Sequence, residues 1–370
     1  MTTYKRLFEE MVSFENLFRA ANQSQRGKRM KKDVSGFNFQ LENELIKLQD
    51  ELKNQAYRPG AYRHFYVRDP KRRLISAAPY RDRVVHHAFC NIIEPLFDKT
   101  FIYHSYACRV GKGTHKALDM CQRFIGSNRY VLQCDISKYF SSIDHEILFS
   151  ILAEKIKDEK VMRLAELIIG SMVDSPQSIV GKSMDYRLLT IDCGIPIGNL
   201  TSQFFANLYL NELDYFVKFG LREKYYIRYM DDFLIFGGNK EHLHRVKKKI
   251  SHFLENSLKL SLHPRKSIVF PVSLGVDFCG FRVFKYYRMI RKLNIKLFKK
   301  KVKKMQKNFS EREITTRKVS DSIRAWVAHA SHGNTYRLRK RVMEDLVFVR
   351  NLADDGDTRR RRAMPGEDRK

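Results

Sequence analysis

The chain reads as an α+β core followed by a basic helical end, and three observations carry that reading. Leu41, Leu45, Leu48 and Leu52 recur at helical spacing, and Val84, Val85, Ala88 and Ile92 repeat the period further on. RYVLQCD (129–135), YYIRYMDDFLIF (225–236) and VDFCGFRVF (276–284) concentrate β-branched and aromatic residues in runs too short for helices. After about residue 290 the composition shifts: RKLNIKLFKKKVKKMQK (291–307) carries nine Lys or Arg. Helical and extended segments interleave without a regular βαβ alternation, which is the pattern of an α+β chain.

Each element has a local reason. Residues 37–55 form a helix that stops at Pro59-Gly60. AYRHFYVRDPKRRLIS (61–76) is two short runs around Asp69-Pro70-Lys71, a basic hairpin. A helix over 80–94 is ended by Pro95, and an apolar strand leads into Asp135. Residues 145–170 hold two helices, and 200–219 one helix with a Phe-rich face. In 225–236 two β-rich runs flank Met-Asp-Asp, a hairpin with two carboxylates at its tip; 276–284 is another strand pair. Leu293, Leu297 and Val302 are the apolar minority of the basic helix, and helices continue to about 350. DDGDTRRRRAMPGEDRK has no apolar period and reads as a disordered tail.

With 370 residues, the chain has room for two or three structural units. Its 43% apolar residues, 26 Phe and 18 Tyr among them, exclude global disorder. A net charge of +29 repels itself in a compact fold and is best tolerated against a polyanion, so nucleic acid is the first partner to consider. The longest uncharged run, between Asp192 and Glu212, is too polar to span a bilayer, and the N-terminus has no signal-peptide core, so no membrane partner is expected. Cys90, Cys108, Cys121, Cys134, Cys193 and Cys279 form no CxxC pair, which argues against zinc and fits a reducing, cytoplasmic location.

Asp135 follows a strand, and Asp231-Asp232 sit at a hairpin tip; two strands of one sheet bring such positions together. Three carboxylates at one spot repel and call for a hard cation. Mg²⁺ fits, since it takes oxygen ligands and keeps waters for substrate phosphates. Two such ions ~3.5–4 Å apart serve phosphoryl transfer. Successive strand residues point to opposite faces, so Asp135 and Asp231 are expected to be the bridging pair and Asp232 a lesser ligand. An Asp-Asp pair in a loop is ordinarily solvated, but here its flanks are buried-strand material, an unfavourable place for two charges.

CDISKYFSSIDHEIL (134–148), GIPIGNLTSQFFANLYLNELD (194–214) and YMDDFLIF (229–236) resemble, in order and spacing, the A, B and C motifs of reverse transcriptases. RRLISAAPYRDRVVHHAFCNIIEPLFD and SYACRVGKGTHKAL resemble the finger motifs of bacterial group II intron-type enzymes, LSLHPRKS the D motif and VDFCGFRV the primer grip. The resemblance covers about 40–290, and more loosely to 345. It implies a right-hand polymerase fold: an N-terminal extension (1–36), fingers with part of the palm (37–134), palm with an inserted fingers-side helical segment (135–289), helical thumb (290–348) and a disordered basic tail (349–370). Most bacterial relatives read Gln-Gly-x-x-x-Ser-Pro in the B motif, where this chain reads Ile197-Gly198-Asn199-Leu200-Thr201-Ser202-Gln203. That variant resembles reverse transcriptases of diversity-generating retroelements, as do the short length and the lack of a recognisable endonuclease or maturase segment. Such enzymes copy template RNA into cDNA with frequent errors opposite adenines and work with a small basic helical accessory protein, an oligomer.

Residue by residue, the resemblance implies that Asp135, Asp231 and Asp232, with the Ile136 carbonyl, bind two Mg²⁺, for which Mn²⁺ can substitute. Phe140 takes the steric-gate position that favours dNTPs. Arg73, rather than its neighbour Arg72, meets the incoming triphosphate. Lys266 is the candidate general acid for pyrophosphate. Ile197 replaces a glutamine at the nascent pair, which loosens discrimination; Gly198 and Gln203 complete the nucleotide-binding set. Arg109, Lys112 and Gly280 are candidates for template or primer contact. His86-His87 reads as structural. Phe298, Tyr336 and Phe348 interleave with the basic residues of the thumb, and Trp326 is expected in its core. Two other readings stay open: a retron-type or antiphage reverse transcriptase, and a non-catalytic RNA-binding splicing cofactor.

Overall fold

The computed structural model describes residues 3–68, 72–171, 193–344 and 346–350. It forms two compact units: one runs up to Cys279 and includes Phe284–Tyr286, the other takes Gly280–Val283 and the residues from Tyr287 on.

The first unit holds β1 (Arg63–Arg68), β2 (Arg72–Ala77), β3 (Tyr130–Asp135), β4 (Tyr226–Tyr229), β5 (Asp232–Gly237), β6 (Ile268–Pro271) and β7 (Val276–Phe278). β1 and β2 make an antiparallel ribbon whose turn, Asp69–Lys71, lies outside the described residues. β4-β5-β3-β6 form an antiparallel sheet in that order. Cys134↔Phe233 and Leu132↔Ile235 are cross-strand pairs on one face. That face shares a core with Phe204, Phe205 and Leu208 of helix Leu200–Tyr209 and with Leu243, Val246, Ile250 and Leu254 of helix Lys240–Ser257. The second set recurs every three to four residues, the stripe a helix needs to seal a sheet. Alternation sends Val131, Gln133 and Asp135 to the other face. There Phe236 meets the Phe124 ring at 5.8 Å, and Gln133 Nε2 donates to the Asp277 carbonyl at 2.9 Å. At the opposite end of that face Asp135 is half-buried and Asp232 exposed.

In the stretch expected as an N-terminal extension, Leu17, Ala20 and Ala21 of helix Phe14–Ser24 are fully buried, and Asn16 Nδ2 donates to the Ala88 carbonyl at 3.0 Å. Two expectations change. Pro95 does not end its helix, which runs Tyr80–Asp98. Proline inside a helix costs about 3 kcal/mol. Ile92, Ile93 and Phe97 on either side are buried, at about 1.5–3 kcal/mol each, and outweigh it. The stretch 200–219 divides into Leu200–Tyr209, Asn211–Tyr215 and a π-type turn, Phe216–Gly220.

In the second unit β8 (Phe281–Val283) pairs with β9 (Arg288–Ile290), followed by helices Lys292–Ser310, Thr316–Ala330 and Tyr336–Glu344. The buried stripe of the basic helix is Phe298, Val302, Met305 and Phe309; Leu293 is exposed. Trp326 stacks on Phe298 with ring centroids 4.1 Å apart, and Phe348 meets Phe309 edge-on at 5.7 Å. Of the three aromatic residues read as interleaving with charge, only Tyr336 is left exposed, at 73%. Most of the tail, from residue 351, lies outside the described residues. Among the described residues no helix is long and apolar enough to cross a membrane.

Candidate active site

Tyr229 pairs with Asp232 across β4 and β5, leaving Met230-Asp231 as a two-residue turn. Met230 has φ +55°, a left-handed conformation at the first turn position, where such hairpins favour glycine. The register of β3 sets Asp135 opposite Asp232. Cross-strand partners share a face, so these two carboxylates stand side by side, hydrogen-bonded through their side chains. In the sheet register Asp232 is the cross-strand partner of Asp135, while Asp231, the expected bridging partner, stands in the adjoining turn. The alternation argument treated Asp231 as a strand residue, whereas the turn frees it from the pleat and leaves it within electrostatic reach of Asp135.

Burial raises the Asp232 carboxyl to about 7, with repulsion from Asp231 and Asp135 behind it. Asp231 is raised by burial and by Asp135, and drawn down by Lys266 and Arg73. Lys266 Nζ lies 2.7 Å from Asp135 Oδ2. Segment 261–263 carries that lysine in by zipping along the end of β3: Ser137 N donates to the Ser261 carbonyl (2.9 Å) and His263 N to that of Asp135 (2.7 Å). The Cys279 thiol, raised by burial and by nearby Asp232, stays protonated, so the donors at the tip are oxygens. Among the described residues no three His, Cys, Asp or Glu side chains form a ready-made metal cage. A charge-repelling, all-oxygen pair with a third carboxylate in the adjoining turn suits Mg²⁺, which takes few protein ligands and keeps its waters.

The sign of the pH dependence follows. Folding raises the Asp232 pKa above the ordinary carboxylate range to about 7, so its stabilising proton is fully present below about pH 4 and is lost as pH rises through about 7. In EDTA, Asp232→Asn is expected to flatten the fall in melting temperature over that window. After discounting for solvent screening, the variant gains on the order of 1 kcal/mol at pH 8. Equal slopes in both proteins would disprove the assignment.

A loop from 193 to 199 straps this sheet to the β1–β2 ribbon. On one side Gly194 N donates to the Ile143 carbonyl and Ile195 N to that of Phe140, each at 2.7 Å. On the other, Ser76 N donates to the Ile197 carbonyl at 3.1 Å. Asn199, 2% exposed, accepts from Ala78 N (3.2 Å) and donates to the Ser76 carbonyl (3.1 Å). Sequence reasoning passed over Asn199; its place before a helix suggests a cap, but its amide reaches back to β2 instead. Gly198 has φ +130°, and a Cβ there would lie 2.8 Å from Ile75 Cγ2. Ile75 shares its ribbon face with Arg73, the arginine that acts on Asp231. Arg72 lies on the other face, over the Tyr66 ring at 3.7 Å. Phe140 and Ile197 are half-buried, and Ile136, in the chain beside Asp135, is buried.

Other expected residues lie elsewhere. Gln203 is exposed and lines a cleft of about 170 Å³ with Lys28, Arg83, His86 and His87. Burial holds His86 near 3 and His87 near 4, so both are neutral at pH 7. Arg109 is engaged within the protein. Its side chain is 7% exposed and spends its donors on Asp98 (Nε to Oδ1, 2.5 Å) and on the carbonyls of Asp98, Ile102 and Ser105. Lys112 is likewise engaged, 2.8 Å from the Tyr103 carbonyl and over that residue's ring. Both staple their own loop; sequence shows their charge but not their partners. Gly280, in the second unit, has φ +86°, and its carbonyl accepts from Arg291 N and Asn294 Nδ2.

An antiparallel sheet with side-by-side carboxylates next to a hairpin tip, strapped to a basic ribbon, is the architecture of the right-hand polymerase fold. The family model of reverse transcriptase (RNA-dependent DNA polymerase) matches residues 68–283, more than half of the chain, which belongs to that family. The group II intron-encoded protein LtrA of Lactococcus lactis subsp. cremoris is 25% identical over 337 residues, covering 74% of this chain and 54% of LtrA. Protein YkfC of Escherichia coli K12 is 26% identical over 282 residues, covering 65% of this chain and 71% of YkfC. The chain thus spans about half the length of LtrA. A telomerase from Candida albicans, solved with a fragment of telomeric RNA, aligns over 73% of this chain and 52% of its own at 12% identity and a TM-score of 0.46.

Proposed function

We propose that this chain is an RNA-directed DNA polymerase that copies a template RNA into adenine-mutagenised cDNA for targeted gene diversification. The observation that carries the polymerase reading is the Asp135–Asp232 pair with Asp231 in the adjoining turn, next to Lys266 and Arg73. Asp135, Asp231 and Asp232, with the Ile136 carbonyl, would hold two Mg²⁺ or Mn²⁺ ions. When bound, these lower the pKa of the attacking hydroxyl and stabilise the leaving oxygen. Arg73 supplies positive charge to the triphosphate of a dNTP. Lys266 delivers a proton to departing pyrophosphate. The half-buried Phe140 ring excludes a ribose 2′-OH, and the strap at 193–199 sets the floor for the nascent pair. Residues 37–134 serve as fingers, 135–289 as palm and 290–348 as thumb, the thumb's lysines taking the phosphates of the primer–template duplex.

The diversity-generating assignment rests on Ile197 in the strap, where a glutamine would hydrogen-bond the nascent pair. Such an enzyme works in the cytoplasm with a small basic helical accessory oligomer. Primer extension on an RNA template with Mg²⁺ and four dNTPs, followed by sequencing of the cDNA, tests both levels. Errors concentrated at template adenines support the full proposal. Accurate cDNA keeps the polymerase and favours a retron-type or antiphage enzyme. No cDNA, even with native RNA and the accessory protein, leaves the splicing-cofactor reading. Ile197→Gln is expected to lower misincorporation opposite adenine by about tenfold or more, since a site that hydrogen-bonds the correct pair rejects one lacking the contact. An unchanged error spectrum removes Ile197 from the mechanism.

A further inference from the structure

Just before the carboxylate turn, Arg228 is buried with its charge, at 0% exposure. Its guanidinium forks onto Asp214, also fully buried: Nε to Oδ1 at 2.7 Å and Nη2 to Oδ2 at 2.6 Å. Tyr226 Oη donates to the same Oδ1 at 2.6 Å. The fork leaves Nη1, which donates to Asn207 Oδ1 at 3.2 Å and to the Met230 carbonyl at 3.3 Å. The arginine's own backbone is pinned on both sides, its N–H donating to the His104 carbonyl and its carbonyl accepting from Tyr106 N, each at 3.0 Å.

The Met230 carbonyl belongs to the peptide that leads into Asp231. Met230 itself sits at φ +55°, where an L side chain is strained and persists only when its surroundings hold it. A buried ion pair adds little net stability over apolar packing of the same volume, so fold stability alone is a weak reason for the Arg228–Asp214 fork. Holding a strained peptide beside a carboxylate is a stronger one. Resting on the metal reading above, we infer that Arg228 is a positioning residue: its Nη1 clamps the Met230–Asp231 peptide, so that Asp231 meets Asp135 and Asp232 at a fixed distance. It touches no substrate and acts through the turn.

Arg228→Lys keeps a charge against Asp214, but one ammonium replaces a planar fork and cannot serve Asp214 and Met230 together. Mn²⁺ binding, read from the EPR signal of free Mn²⁺ without nucleic acid, is expected to weaken about tenfold, as for supports behind metal ligands. Melting temperature falls too and decides nothing. The deciding variant is Met230→Gly, which removes the strain. Combined with Arg228→Lys, it restores most of the Mn²⁺ affinity while the melting loss remains. If Arg228→Lys lowers the melting temperature yet leaves Mn²⁺ affinity per folded molecule unchanged, or if glycine restores nothing, the inference is overturned. Should Arg228→Lys not fold, Asn207→Asp makes the test by drawing Nη1 away from Met230; because it also loses the Asn207 Nδ2 bond to the Ala107 carbonyl, affinity is compared per folded molecule. It should weaken Mn²⁺ binding likewise, and unchanged affinity sinks the inference. Wild-type protein that binds no Mn²⁺ overturns the metal reading, and this inference with it, so the two failures read differently.

Discussion

Asp231→Asn is expected to lower single-turnover dNTP incorporation by about a thousandfold or more. Loss of one ligand that stabilises transition-state charge is worth several kcal/mol, and each 1.36 kcal/mol is tenfold in rate. The fold should survive, because Asp231 lies in a two-residue turn and its carboxyl is already raised by burial and by Asp135; a neutral amide relieves that repulsion. RNA binding should survive as well, with its steep salt dependence intact, since the nine basic residues of 291–307 are untouched. Incorporation kinetics, a melting curve and binding isotherms at several salt concentrations separate these effects. Normal incorporation by the variant would show that the metal assignment is wrong.

What could be read from the residues depended on how local the determining physics is. The strand leading into Asp135 and the hairpin of 225–236 are contiguous runs of β-forming residues, and both form where the pattern places them. Which carboxylate pairs with Asp135 is a matter of register, set by a two-residue turn whose first position has φ > 0. Methionine at that position gives no turn signal, so the register that sets Asp232 opposite Asp135 could not be read from the residues. Charge misleads for the same reason. Arg109 and Arg73 look alike in a basic chain, yet carbonyls 98, 102 and 105 converge on one, while strand alternation turns the other toward Asp231. Asn199, Asn207, Asp214 and Arg228 went unread because each binds a partner more than ten residues away in the chain. The helix at Phe14–Ser24 was legible and overlooked: Leu17, Ala20, Ala21 and Ser24 follow a helical period, and all are buried. Pro95 shows the opposite failure, a strong local rule overruled by burial of Ile92, Ile93 and Phe97.

Gly198→Ala is expected to have the second-largest effect, and it separates two physical causes. The φ of +130° lies where a side chain costs about 1–3 kcal/mol whatever the space around it. The added methyl also meets Ile75 Cγ2 at 2.8 Å and the Ser76 carbonyl at 3.4 Å. Ile75 offers the end of a flexible side chain and can yield; the backbone angle cannot. The simplest relief for the chain would be to shift the strap, but Ser76 N on the Ile197 carbonyl and the two Asn199 bonds hold it to β2, while Gly194 and Ile195 hold it to 140–143. Strain therefore passes into the position of Ile197 and Arg73 relative to the carboxylates. The expected result is a loss of about 2–4 kcal/mol in stability together with a rise of about tenfold or more in the KM for dNTP. Adding Ile75→Ala should recover the steric part of the stability loss and leave KM high, because the torsional strain remains. Full recovery of both by Ile75→Ala would mean that contact, not backbone conformation, is why glycine stands at 198. A Gly198→Ala enzyme with wild-type melting and KM would remove the strap from the substrate site altogether.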